Sequence, residues 1–177
     1  MLRFIPLVCT PRAATVLCSL LLSSFAWGAP PLQPGDDLPP MALRDQHDRS
    51  LALHRDTRLI FFAAEMSASR VMAKALEGLP SSALQDRRAL YIADISSMPQ
   101  PISTIVAMPR MQKLPYAVAV IRYAGDGAHL PRKAGAVTVL TATQGRISDV
   151  SFVDRPEQVS AYLAGPARAP AGAAPRP

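Results

Sequence analysis

Residues 58–76 read RLIFFAAEMSASRVMAKAL, and within this stretch the hydrophobic period changes. Arg58–Ala64 is a continuous apolar run rich in aromatic residues, the pattern of a strand buried on both faces. From Ser69 the period is helical: over Ser69–Leu79, Val71, Met72, Ala75, Leu76 and Leu79 fall on one face. Ser67 or Ser69 suits the helix start as a cap, and Pro80 stops the helix. A buried strand leading into an amphipathic helix opens an alternation of strands and helices.

The alternation continues outward. Ala89–Ile95 is a second strand, and Gln100–Met108 reads as a short helix with Ile102, Ile105 and Val106 inward, ended by Pro109. Tyr116–Tyr123 is a third strand, entered directly from Pro115. Ala136–Thr143 and Arg146–Val153 flank Gln144-Gly145 and form a hairpin. The last helix starts at Asp154, with Glu157 completing a capping box. It buries Val159, Tyr162 and Leu163 and ends at Gly165. Upstream, Asp36–Leu53 holds two short extended pieces, MALRD and SLALH, around a turn. The order β-α-β-α-β-β-β-α indicates an α/β sandwich in which parallel strands come first and antiparallel strands follow.

The ends of the chain read differently. MLRFIPLVCTPRA carries Arg3 and Arg12 and no acid, Ala13–Leu22 is apolar, and small residues follow. This is the pattern of a secretory signal peptide over residues 1–28, cut after Gly28 or, alternatively, after Ala26. An uncleaved anchor is the rival reading, but the apolar run falls short of the ~20 residues a membrane span needs. At the other end, residues 165–177 (GPARAPAGAAPRP) read as a disordered Pro/Ala-rich tail. One domain, 29–164, remains.

Composition sharpens the consequence. The 177 residues include 19 basic and 13 acidic side chains, a net charge of +6, and 49% hydrophobic residues, which excludes wholesale disorder. Both cysteines, Cys9 and Cys18, lie inside the signal peptide. The mature chain is therefore expected in the periplasm or outside the cell, with net charge +4 and no thiol. Thiol redox, cysteine nucleophiles and Cys-ligated zinc or iron–sulfur sites are excluded for it.

With three local matches, the order of elements resembles the thioredoxin-like superfamily, particularly its exported branch and the related peroxiredoxin-type domains. PGDDLPPMALRDQHDRSLAL is similar to the family's opening hairpin. FFAAEMSASRVMAKAL sits where the family carries a strand, the Cys-x-x-Cys pair and the first helix. LYIADISSMP followed by KLPYAVAVI is similar to the strand ending in Asp and the cis-proline before a later strand. The resemblance implies a three-layer sandwich, a central mixed sheet flanked by helices. It also puts Met66 and Ser69 where the family has its two cysteines. A thioether cannot ionise and a serine hydroxyl is too weak an acid to replace a thiolate, so disulfide exchange and peroxide reduction do not carry over.

Other chemistries find little. Ser67 or Ser69 as nucleophile needs a general base, and His47, His54 and His129 stand in no recognisable spacing to them. Arg70 makes an anion at this helix start a further reading. Met66, Met98, Met108 and Met111 are thioethers of a kind that suits Cu(I), but methionine at such spacing is commonly core filler, and no metal site is expected. Asp45 and Asp94 read as turn caps. Arg87-Arg88, Arg110/Lys113 and Arg132-Lys133 are scattered, which argues against a nucleic-acid surface. Gly125-Asp126-Gly127 is a turn without a following helix, so no nicotinamide, flavin or other cofactor is expected.

The resemblance leaves one functional feature. Leu114-Pro115 matches the family's cis-proline junction, with Pro131 as a rival for the cis position, and Met66–Ser69 matches the loop opposite it. Met66, Ser67, Ala68, Ser69, Leu114 and Pro115 are the candidate groove for an extended polypeptide partner, in a chain that works as a binding or chaperone-like module. The alternative is an enzyme of unknown chemistry using Ser69 and Asp94 in the same location.

Overall fold

The computed structural model describes residues 30–165. The expected signal peptide, Cys9 and Cys18, and the tail beyond Gly165 lie outside these residues. The chain forms a short hairpin, β1 (Ala42–Arg44) and β2 (Ser50–Ala52), then β3 (Leu59–Ala63), α1 (Met66–Leu76), α2 (Ala83–Asp86) and β4 (Ala89–Asp94). A helical arm follows, built from α3 (Gln100–Ile102), one π turn (Ser103–Ala107) and α4 (Met108–Gln112). The remaining elements are β5 (Ala119–Ile121), β6 (Val137–Thr143), β7 (Arg146–Val153) and α5 (Pro156–Ala164).

Five strands make one mixed sheet in the order β5-β4-β3-β6-β7. β4 runs parallel to both β3 and β5, whereas β6 runs antiparallel to β3 and to β7. This is the expected change from parallel to antiparallel pairing. β3 is central and every residue in it is buried. Leu59, Phe61 and Ala63 face α1 and α5, where the Phe61 ring meets the edge of Tyr162 with centroids 6.4 Å apart. Ile60 and Phe62 face the other way, toward Leu43 of the hairpin and Leu130. The layers are thus helices, sheet, and hairpin with its loops. Each large apolar side chain buried in β3 contributes roughly 1.5–3 kcal/mol, which makes this strand the anchor of both cores.

The β6–β7 turn carries two left-handed residues, Gln144 at φ 54° and Gly145 at φ 80°, the backbone that a two-residue hairpin loop prefers. At the opposite edge of the sheet, beside the entry to β5, Gln46 reaches from the hairpin loop and is 1% exposed. Its amide donates to the Tyr116 carbonyl and accepts from Val118 N–H, both at 2.8 Å.

Several boundaries differ from the sequence expectation. α1 starts three residues earlier, at Met66, and stops at Leu76, because Gly78 turns the chain at φ 76°; Leu79 is left exposed rather than buried. α5 is preceded by Arg155 rather than Asp154, and Gln158, not Glu157, bonds back: its Oε1 accepts from the N–H of Asp154 at 3.2 Å and of Arg155 at 3.3 Å. The third strand contracts to Ala119–Ile121.

The arm departs most. It runs through Pro109 instead of ending there. A proline in a helix lacks an N–H and crowds the carbonyl four residues back, here Ile105. That residue lies inside the wider π turn, where bonding runs five residues back and the crowding is relieved. The π turn also resets the phase of the arm. Ala107 is its buried residue, while Ile102, Ile105 and Val106, expected inward, are 48%, 73% and 39% exposed.

Candidate functional site

β3 delivers α1, and β4 delivers the arm, at the same end of the sheet. Between the two helical segments lies an apolar cleft of about 220 Å³. α1 contributes Met66, Ser69, Arg70 and Ala73; β4 and its exit contribute Tyr91, Ala93, Ile95 and Met98. The arm and its exit contribute Ile102, Val106, Ala107, Arg110, Met111, Leu114 and Tyr116. Three of the four methionines singled out from the sequence therefore meet here; Met108 does not. Met66 is 44% exposed at the mouth.

The polar groups are few. The Tyr91 and Tyr116 rings lie 6.5 Å apart. Burial pushes the Tyr91 hydroxyl up to about 12, and a hydrogen bond with the Ser69 side chain offsets only part of that. Burial also raises Tyr116. Both phenols stay protonated at neutral pH and cannot serve as bases. No histidine lines the cleft, so Ser69 meets no general base among the described residues. Arg70 and Arg110 stand in the lining, and neither has an ion-pair partner among the described residues.

The start of α1 is occupied by the chain itself. Glu65 is its N-cap residue, and its Oε1 accepts the Gly135 N–H. That bond, with one from the Ser67 side chain, holds the Glu65 carboxyl below its usual value. Neither Ser67 nor Ser69 makes the expected cap, and the anion at this helix start is an internal carboxylate, which suits the positive end of the helix.

The six groove residues are divided. Met66, Ser69 and Leu114 line the cleft. Ala68 is wholly buried in the core beneath α1, and Ser67 lies outside the lining. Pro115 lines a separate pocket with Gln46, Ser81 and Ser82, toward the other end of the sheet. The reason is strand direction. β5 runs parallel to β3 and β4, so the segment entering it approaches from the end opposite α1's start. β6 is antiparallel, with Val137 beside Ala63, and so the loop before β6, carrying Gly135, meets Glu65. No peptide bond among the described residues is cis, which corrects the cis-proline expectation for both Pro115 and Pro131.

Asp94 does not join Ser69. Alternation along β4 puts Tyr91 and Ala93 on the α1 face and Ile92 on the other; Asp94 follows Ile92. Its Oδ1 accepts Ser96 N–H at 2.8 Å, and its Oδ2 pairs with Arg132 Nη2 at 2.8 Å, with that guanidinium stacked over Phe62. Asp45 likewise accepts from His47 and Arg49 N–H. Both carboxylates act as turn caps, as their positions at strand ends indicated.

Tyr91, Ile102, Val106 and Arg110 are cleft residues the sequence reading did not single out as a site. Tyr91 sits inside a strand-like apolar run, and the two aliphatics were assigned to the opposite face of the arm. Among the described residues no group of three or more metal-ligating side chains occurs, and no helix is long and apolar enough to cross a membrane.

No protein-family model matches the chain, and no curated protein matches it. Solved structures do. A candidate protein disulfide isomerase from Bacteroides thetaiotaomicron matches at 13% identity and TM-score 0.51, over 75% of this chain and 86% of that one. A candidate thioredoxin from Neisseria meningitidis matches at 15% identity and TM-score 0.49, over 73% and 87%. A peroxiredoxin-like protein from Aquifex aeolicus matches at 13% identity and TM-score 0.47, over 77% and 88%. The chain has the thioredoxin-like fold, an α/β sandwich with a mixed five-stranded sheet.

Proposed function

We propose that this thioredoxin-like protein is an exported, non-catalytic binding domain that holds an apolar polypeptide segment in the cleft between α1 and the helical arm. The observation that carries the reading is the cleft itself: about 220 Å³, lined by three thioethers and opened to solvent by Met66, Ile102 and Val106. Methionine adapts its shape to varied apolar partners, which suits a surface that takes segments of differing sequence. Arg70 and Arg110 favour segments carrying a carboxylate beside their apolar side chains.

Two further features support a binder over an enzyme. Met66 and Ser69 stand where the resemblance puts the family's thiols, and residues 30–165 contain no cysteine. Among the described residues, no histidine or carboxylate lines the cleft beside Ser69 to act as its base. Export rests on the basic lead and short apolar run of residues 1–28.

A fluorescently labelled peptide with apolar residues flanking a glutamate tests the site. Met66→Asp and Val106→Asp each place a carboxylate in the apolar lining and should weaken binding by about tenfold or more. Equal affinity in both variants would overturn the cleft as the binding site. Fractionation of cells producing a C-terminally tagged full chain tests export: a shortened form in the periplasm or medium is expected, and an uncut cytoplasmic form counts against it.

A further inference from the structure

A second constellation stands at the other end of the sheet, where β3 and β4 begin and β6 ends. Arg58 and Arg88 are the residues immediately before β3 and β4. Their backbones are tied together: Arg58 N–H donates to the Arg88 carbonyl at 2.9 Å, and Ala142 N–H donates to the Arg58 carbonyl at 2.8 Å. Two adjoining cavities, of about 900 Å³ and about 340 Å³, share Arg58 and Arg88 in their walls. Arg55 lines the larger cavity and Tyr162 the smaller.

Donors predominate here, with the carboxylates of Asp56 and Asp86 also in the walls and Asp86 accepting from the Ser82 hydroxyl at 2.9 Å. Tyr162 is 4% exposed, yet its hydroxyl has no hydrogen-bond partner among the described residues. Thr141, beside Leu59 in the register, lines the larger cavity, and its buried Oγ1 is likewise without a partner. Arg55 and Arg58 have no ion-pair partner among the described residues, and Arg88 has only Asp56, at 3.9 Å. Arg88 also holds φ at 50°, a left-handed backbone that glycine or asparagine adopts far more readily. A guanidinium is thus kept at a position where the backbone alone favours another residue.

We propose that this end of the sheet is an oxyanion site for a phosphate monoester, held by the guanidinium groups of Arg58 and Arg88 with the Tyr162 hydroxyl donating from α5. Arginine's planar fork matches two phosphoryl oxygens at once, and a buried phenol supplies the further donor that such a group accepts. The site is separate from the apolar cleft and does not depend on the binding function proposed for it. The phosphoryl group belongs either to a soluble compound or to a lipid headgroup.

Calorimetric titration of the full chain with phenyl phosphate, and co-sedimentation with phosphatidylcholine vesicles containing phosphatidic acid, test the proposal. Arg58→Ala and Arg88→Gly should each weaken binding by about tenfold, and Tyr162→Phe by roughly threefold to tenfold. Arg88→Gly relieves the left-handed backbone, so its melting temperature should be unchanged or higher, which separates lost binding from unfolding. Binding of phenyl phosphate assigns the site to a soluble compound; binding only to the phosphatidic-acid vesicles assigns it to a headgroup. The proposal is overturned if neither probe binds, or if the three variants bind as the parent does.

Discussion

Gln46 Oε1 accepts the N–H of Val118 at 2.8 Å, joining residues 72 positions apart in the chain. With the bond from its Nε2 to the Tyr116 carbonyl, the side chain acts as a short piece of strand that pins the hairpin loop to the segment entering β5. Gln46→Leu keeps the volume but leaves a buried N–H and a carbonyl unpaired. Urea unfolding should show a loss of about 2–4 kcal/mol. A loss below about 0.5 kcal/mol, the range of ordinary surface changes, would show that water replaces both bonds.

Acid should weaken the protein in two stages. Burial lowers His129 below its ordinary value of 6.5, so the stability tied to its neutral form is complete above that value and is lost as pH falls through the lowered one. For Asp45, burial pushes the carboxyl up, but bonds from Arg49 and His47 outweigh it and leave it below 3.8. Its contribution is complete above 3.8 and is lost at still lower pH. Urea midpoints measured downward from about pH 7 should fall first in a step that His129→Gln removes, then in one that Asp45→Asn removes. A midpoint that rises on acidification contradicts both assignments.

The chain lacking residues 1–28 should not catalyse reduction of insulin disulfides by dithiothreitol. Placing cysteines at both positions in the first turn of α1, as M66C/S69C in a C9S/C18S background, should introduce a reversible intramolecular disulfide and measurable turnover. The helix N-terminus favours a thiolate there, although Glu65 opposes it. Turnover by the parent chain above the uncatalysed rate would remove the non-redox reading.

Gln144 sits at φ 54° in the β6–β7 turn, where asparagine is better tolerated. Gln144→Asn should stabilise the protein by about 0.4–1 kcal/mol, read as a higher urea midpoint with an unchanged slope. Destabilisation would mean that the glutamine side chain holds a contact worth more than the backbone strain.

The strands were legible because each carries its own signature: a run of apolar residues at β3, a Gln-Gly break between β6 and β7. What escaped depended on partners rather than on local pattern. Pro115 looks the same in sequence whether the strand after it runs parallel or antiparallel to β3, yet that direction decides which end of the sheet the proline reaches. Ile102 and Val106 repeat at helical spacing, but the π turn that contains Val106 changes which side of the arm faces the core. Ala68 was grouped with its neighbours as a loop, and became core once the helix began three residues earlier. Met66, Ser69 and Leu114 share the cleft because α1 and the arm leave the sheet side by side.

The π turn of the arm has one residue more than a regular helical turn. Drawing Ser103–Ala107 into the common repeat at the same residue count would rotate everything beyond it by about 100°. Met111, now packed against the core, would swing toward solvent, and the Pro109 ring would press on the preceding turn. The connecting loops can lengthen or shorten without changing which side chains they present. In this segment the width of a single turn decides which side chains beyond it meet the core.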